Sequence, residues 1–223
     1  MARRGDEARA RLVEVAERLF AERGISGVSL RDVSAAAGQR NHSAAQYHYG
    51  DRAGLVAAVF EARMGLVNER RVEHLNRLDE LGFRDDIPAL VAALVEPLVA
   101  VVAETNGWYG RFLARVRFDP FATDVVDALP VAEAVRDTTR RLHRVLTDLP
   151  SPVRHGRIEK LNTLLIGTVA AWEWARDRGQ RRLDESLMSD ELVATGAAVL
   201  TAPQRPALDN VPSLVPSATG ADR

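Results

Sequence analysis

The chain has 223 residues, 46% of them hydrophobic and 27% charged, with a formal net charge of -1; that is enough apolar material for a substantial core in one or two domains. It holds no cysteine, which excludes disulfides and thiolate metal sites and fits a reducing cytosol, and its near-neutral balance excludes a protein that coats nucleic acid by bulk electrostatics. No apolar run approaches the roughly 20 residues that cross a bilayer, and Met1-Ala2-Arg3-Arg4 leads into charged helix instead of a signal-peptide core, so the expectation is a soluble, cytoplasmic protein with no membrane partner.

The first helix is predicted from Asp6 to Gly24, with Leu12, Val15, Ala16, Leu19 and Phe20 on one apolar stripe. Arg3, Arg4 and Arg9 precede or open it, and two readings stand: an arm touching phosphates or the minor groove, or a frayed, solvated terminus. Residues 1–52 carry nine arginines against seven acids, and the rest carries 21 basic against 24 acidic residues. From Gly24 to Arg52 only Asp32 and Asp51 oppose Arg31, Arg40, Arg52 and two histidines. A local basic face on a near-neutral body suits a site-specific binder that gains affinity from a partner subunit. The plainer reading is that arginine is simply the default base of a chain with a single lysine.

Ser29 to Arg52, SLRDVSAAAGQRNHSAAQYHYGDR, reads as two short helices joined by a tight turn. Ser29 is an N-cap with Asp32 at the capping-box position; Leu30, Val33 and Ala37 share a face; Gly38 ends the helix. After Gly38-Gln39-Arg40, Asn41 is a second cap for a helix from His42 to Tyr49. His42, Ser43, Gln46, Tyr47 and His48 can all hydrogen-bond to phosphates or base edges, and Ala44 and Ala45 keep the surface low enough to enter a major groove. The candidates for base edges are His42, Ser43, Gln46 and Tyr47, with Gln46 able to pair bidentately with adenine. Those for phosphates are Ser29, Arg31, Arg40, Tyr47, His48 and Arg52. Tyr49 is assigned to the core. For Ser29 a pure capping role, and for Arg31 a pairing with Asp32 or a neighbouring helix, are the alternatives.

In Ala21 to Gly24, Val28-Ser29-Leu30-Arg31-Asp32-Val33, Ala36-Ala37-Gly38, and Tyr47-His48-Tyr49-Gly50-Asp51-Arg52 leading to Leu55, the chain resembles the tetracycline-repressor-like (TetR) family of helix-turn-helix regulators over roughly its first sixty residues. Between Gly38 and Tyr49 it is one residue longer than the commonest pattern. Gln46 stands where that pattern has a phosphate-touching tyrosine, and Arg52 where it has lysine. The resemblance implies a homodimer on an inverted-repeat operator of double-stranded DNA, and a repressor released by a small-molecule effector.

From Asp51 a long helix is predicted to about Leu81, with Leu55, Val59, Ala62 and Leu66 along one side, linking the head to the rest of the chain. A pivot of this helix would move the recognition helix. Gly82 and Asp85-Asp86 end it, and Pro88 opens another through about Glu104, in which Pro97 removes a hydrogen bond and opens space beside the chain. WYGRFLARVRF comes next, stopped by Asp119-Pro120, then a helix from about Val131 to Leu149. Trp108, Phe112, Arg115, Phe118, Phe121, His143 and Trp172 are the candidate lining of an apolar effector pocket, each aromatic having core packing as its alternative.

Ser151 to Gly179 is predicted as a helix with Ser151 as cap and Pro152 first, striped by Ile158, Leu161, Leu165, Thr168 and Trp172, with small residues at Gly167, Ala170 and Ala171. The last helix spans about Ser189 to Thr201. In the family resembled, the last two helices (151–179 and 189–201 here) pair with those of a second subunit; packing inside one subunit is the alternative. From Pro203 the composition reads as a disordered tail. The expected fold is all-α: a helix-turn-helix head over 1–52, a larger helical ligand-binding and dimerisation domain over 53–202, and a tail over 203–223. No phosphate loop, glycine fingerprint or His-Glu-x-x-His is present, and the histidines lack metal-ligand spacing. No catalytic residue, cofactor or metal is therefore expected. An all-α enzyme or a helical interaction module without DNA binding are the rivals.

Overall fold

The computed structural model describes residues 2–105 and 107–204, the side chains of residues 2–4 excepted, and these residues form helices and turns only. The helices are α1 Ala2–Arg23, α2 Leu30–Ala36, α3 Ala44–Tyr49, α4 Arg52–Leu81, α5 Ile87–Thr105, α6 Tyr109–Arg117 and α7 Pro120–Asp127. After a single 3-10 turn at Pro130–Ala132 come α8 Glu133–Val145, α9 Ser151–Asp177 and α10 Glu185–Thr201. The predicted tail lies, from residue 205 onward, outside the described residues.

α1 begins at Ala2, ahead of the predicted Asp6, so Arg3, Arg4 and Arg9 stand on helical backbone. Its stripe of Leu12, Val15, Ala16, Leu19 and Phe20 is buried and packs on α2 and α4, which makes a three-helix head. It also packs on α6. Phe20 meets Phe112 with ring centroids 6.2 Å apart. The buried Glu17 accepts from Arg63 Nε and from the Trp108 N–H, each at 2.7 Å. Arg115 Nε donates to the Ala21 carbonyl at 3.2 Å. One apolar core therefore runs from the head into the body, and the carboxylate buried at their junction is satisfied from both sides.

α4 starts on the Asp51 side chain, which accepts from the Gly54 N–H at 2.9 Å, and ends at Gly82. Its buried side continues past Val59 through Phe60, Met64, Val67, Arg71, Leu75 and Leu78, whereas the predicted Ala62 and Leu66 are exposed. A helix alternates steps of three and four. Choosing the wrong one after Val59 turns the stripe by about 100° per residue of error.

α5 is long and apolar enough, by length and composition, to cross a membrane, which corrects the expectation that no run comes close. Its sides are mostly buried against α4, α8, α9 and α10, so here it is the central core helix. Asp119-Pro120 does more than stop α6. Asp119 accepts from the Ala122 N–H at 3.1 Å and Pro120 takes the first turn of α7, a helix absent from the sequence reading. The segment predicted from Val131 to Leu149 is helical as α8 only from Glu133 to Val145.

In α9 the cap position is Pro150, and Ser151, the predicted cap, is the first helical residue with no capping bond. The other end is closed as expected: Gly179 takes φ 61, and the N–H groups of Gly179 and Gln180 donate to Arg176 and Ala175 carbonyls at 3.0 and 2.9 Å. α10 begins at Glu185, ahead of the predicted Ser189, because Asp184 accepts from the Leu187 N–H. Ile158, Leu161, Leu165 and Trp172 are buried within this chain. The exposed side of α9 carries Thr163, Gly167, Ala171 and Trp174, and that of α10 carries Ala194 and Ala198.

Candidate nucleic-acid interface

α2 is held by a complete capping box. The Ser29 hydroxyl accepts from the Asp32 N–H at 3.1 Å, while the Ser29 hydroxyl and N–H both donate to the Asp32 carboxylate, at 2.6 and 2.9 Å. These bonds, the side-chain one first, hold the Asp32 carboxyl below its ordinary range. At the other end Gly38 takes φ 70, and the Gly38 and Gln39 N–H groups donate to Ala35 and Ser34 carbonyls, each at 3.0 Å. This six-to-one closure turns the chain sharply away from the helix.

The connection to the next helix is longer than predicted. α3 runs from Ala44 to Tyr49, so His42 and Ser43 precede it. Asn41 caps a turn instead of a helix: its Oδ1 accepts from the Ser43 N–H and its carbonyl from the Ala44 N–H, both at 3.0 Å. The angle between the two helices is fixed by Ser34, a fully buried residue missed in the sequence reading. Its hydroxyl donates to the Leu30 carbonyl at 3.0 Å and accepts from the Ala45 N–H at 2.9 Å, supplying the partner that the first turn of α3 lacks. The available signal is a hydroxyl between Val33 and Ala37 on an otherwise apolar face. Ala45 is fully buried and Ala44 packs on the core, so both face inward and do not form the groove-facing surface expected of them. Tyr49 anchors the far end, donating from its hydroxyl to the Arg9 carbonyl at 3.0 Å.

With α3 so placed, His42, Ser43 and Gln46 are exposed together with Tyr47, which is 84% exposed. His48 is half-buried and meets Tyr47 edge-on at 5.1 Å. Arg31 and Arg40 are exposed and Arg52 is half-buried with an unpartnered Nε. Among the described residues none of the three pairs with a carboxylate, and Asp32, the alternative partner of Arg31, is occupied by Ser29. Ser29 differs from the arginines: both of its donors are spent inside the box.

The seven residues predicted for the effector pocket do not come together. Trp108, Arg115 and Phe118 line an open groove with Trp174, and the Arg111 guanidinium sits 3.9 Å from the centroid of the Trp108 ring. Phe112 is core, stacked on Tyr109 at 6.0 Å. Phe121 is exposed on α7. His143 stacks on His155 at 6.0 Å, and burial followed by the charge of Arg154 lowers its pKa. Trp172 is buried, donating from Nε1 to the Leu183 carbonyl at 2.8 Å.

A different cavity, of about 260 Å³, opens beside α5 where Pro97 interrupts it. Leu94 and Leu98 of α5, Phe60 and Met64 of α4, Val116 of α6 and Leu165 of α9 are among its walls, and so is Arg71 of α4, which is 3% exposed. Proline has no N–H, so the Ala93 carbonyl four residues back loses its helical donor. Arg71 Nε donates to that carbonyl at 3.0 Å. Space beside α5 was legible from Pro97, but the residue that answers the orphaned carbonyl was not.

Residues 12–59 match the family profile of bacterial regulatory proteins, tetR family. None of the curated proteins matches the sequence. Among solved structures, a protein from a Rhodococcus species assigned to the TetR-family transcriptional regulators superposes with a TM-score of 0.52 at 16% identity, over 87% of this chain and 100% of that one. An alanine-substituted mutant of HlyIIR superposes with a TM-score of 0.51 at 13% identity, over 89% of this chain and 97% of that one. At these identities the likeness is one of fold. The matched segment holds most of α1, the capped α2, the exposed α3 and the start of α4, so the head of this fold is similar to the bacterial regulatory proteins of the tetR family.

Proposed function

We propose that the chain works as a homodimer that represses from an inverted-repeat operator and leaves it when a small molecule fills the cavity beside α5. The observation that carries this reading is the exposed polar face of His42, Ser43, Gln46 and Tyr47, together with three arginines that have no carboxylate partner among the described residues. Gln46 and its neighbours read base edges. Arg31, Arg40, Arg52, Tyr47 and His48 hold phosphates. Ser29 acts through the helix it caps.

α4 supplies the link to the effector. Arg52 stands at its first turn and Met64 and Arg71 line the cavity; at a rise of roughly 1.5 Å per residue, Arg71 lies about 28 Å along the helix from Arg52. A ligand that shifts α4 at the cavity therefore displaces the phosphate contact at the other end. The second subunit docks on the exposed small residues of α9 and α10, Gly167, Ala171, Ala194 and Ala198, with Trp174 beside them. Close approach of two helix pairs needs such residues. Selection of bound duplexes from random DNA tests this reading. The expected product is an inverted repeat with half-sites about 34–36 Å apart or a multiple of it, and recovery of no enriched sequence refutes it.

A further inference from the structure

Arg71 donates to three acceptors besides the weak Met64 sulfur, and all are neutral: the Ala93 carbonyl from Nε at 3.0 Å, the Asn68 Oδ1 from Nη1 at 2.6 Å and the Leu94 carbonyl from Nη2 at 3.4 Å. Among the described residues no carboxylate pairs with it. Buried in this way its pKa falls to about 10, so the guanidinium is charged at neutral pH. The contrast inside the same body is Arg141, which is nearly as buried yet held by Asp79 and Asp137. Carbonyls satisfy donors without neutralising charge, and an uncompensated buried cation is expensive.

The rest of the cavity says where compensation can come from. Its walls are mostly apolar, with Thr123 and Asn162 among them, and its remaining charged residues are already engaged or exposed. Arg117 pairs with Glu159, Arg136 pairs with Glu133, and Asp127 is exposed. The volume of about 260 Å³ falls just below the usual range of small-molecule sites, roughly 300–1,000 Å³, and suits a small ligand. Arg157 also lacks a carboxylate among the described residues, but it is not part of this wall. We infer that the cavity beside α5 binds a small amphipathic organic anion, its carboxylate received by Arg71 and its hydrocarbon body by Phe60, Met64, Leu94, Leu98 and Val116. The inference deepens the effector reading above and rests on it for its regulatory meaning alone. Asn68, which accepts from Arg71 and donates to the Val131 carbonyl in the 3-10 turn, ties the anion site to the turn before α8.

The test is calorimetric titration of the full chain, without DNA, with straight-chain carboxylates from hexanoate to decanoate, each against its own primary amide. At least one carboxylate is expected to bind roughly tenfold more tightly than its amide, as a charge-assisted contact requires. Arg71→Met should bring the pair to parity, and Arg71→Lys should retain the preference. Amides that bind as well as every carboxylate, or a preference that survives Arg71→Met, overturn the inference. Should Arg71→Met fail to fold, Val126→Phe narrows the cavity and leaves the arginine in place; loss of carboxylate binding then supports the site, and unchanged binding overturns it. A carboxylate that binds through Arg71 yet leaves operator affinity unchanged keeps the anion site and removes its effector role.

Discussion

Arg31 and Arg40 on the outside of the head and Arg71 buried against α5 share one feature, a guanidinium with no carboxylate beside it among the described residues. They differ in what that costs. At the surface water solvates the charge and salt screens it, so an unpaired arginine is nearly neutral for stability and is available to a phosphate. Inside, the same group is held by two carbonyls, an amide oxygen and the weak Met64 sulfur, none of which offsets its charge. On the readings proposed above both places select anions, the first many along a polymer and the second one at a time. Arg111 shows the ordinary solution to burial: it donates to Glu173 at 2.8 Å, and the same carboxylate accepts from the Gly110 and Arg111 N–H groups at 3.0 and 3.1 Å.

The largest effect expected is on DNA. If these arginines hold phosphates as proposed, replacing Arg31, Arg40 and Arg52 together with alanine removes three contacts per subunit, so the slope of log affinity against log salt should flatten by about 5 for the proposed dimer. Fluorescence anisotropy across a salt series measures it, and the urea midpoint should scarcely move. An unchanged slope takes these arginines out of the phosphate set. Arg111→Met then calibrates the interior. It strands the buried Glu173 carboxylate and should cost about 3–5 kcal/mol in urea unfolding, whereas Arg140→Ala, in an exposed pair with Glu133, should scarcely move the urea midpoint.

The pH dependence of Arg111→Met carries a sign. Burial raises the Glu173 pKa in the native state against the opposing hydrogen bonds of Arg111, and removing Arg111 raises it further. The native state then binds the proton more readily than the unfolded chain, so stability is lost as pH rises through the raised pKa and recovered as pH falls towards the unfolded value of about 4.3. The deficit should be smaller at pH 5 than at pH 7.5; an equal deficit at both would assign the loss to packing. Ser34→Ala sits lower on the scale. It leaves the buried Ala45 N–H without its acceptor and should cost about 1–3 kcal/mol, with operator affinity falling while the salt slope holds. Lower still is Ser29→Ala, about 1 kcal/mol of stability from a lost cap; a flattened salt slope in this variant would restore Ser29 to the phosphate contacts.

The helix ends were the most legible part of the chain, because caps act over a few neighbouring residues: Ser29 with Asp32, Gly38, Asp51, Gly82 and Gly179 all do locally what their types require. The same locality explains the errors. Asn41 and Ser151 are good capping residues placed where a turn and a proline hold the cap position instead, and Asp119-Pro120 both ends one helix and begins another. The exposed polar set of His42, Ser43, Gln46 and Tyr47 was legible because polar residues cluster there without acids. Which side chains meet across the molecule was not. Glu17 with Arg63, Ser34 with Ala45 and Arg71 with Ala93 are each brought together only by packing, with no periodicity linking the partners. The aromatics assigned to a pocket dispersed for the same reason: spacing along the chain gives the face of a helix, and the neighbouring helix decides whether that face becomes core, groove or cavity.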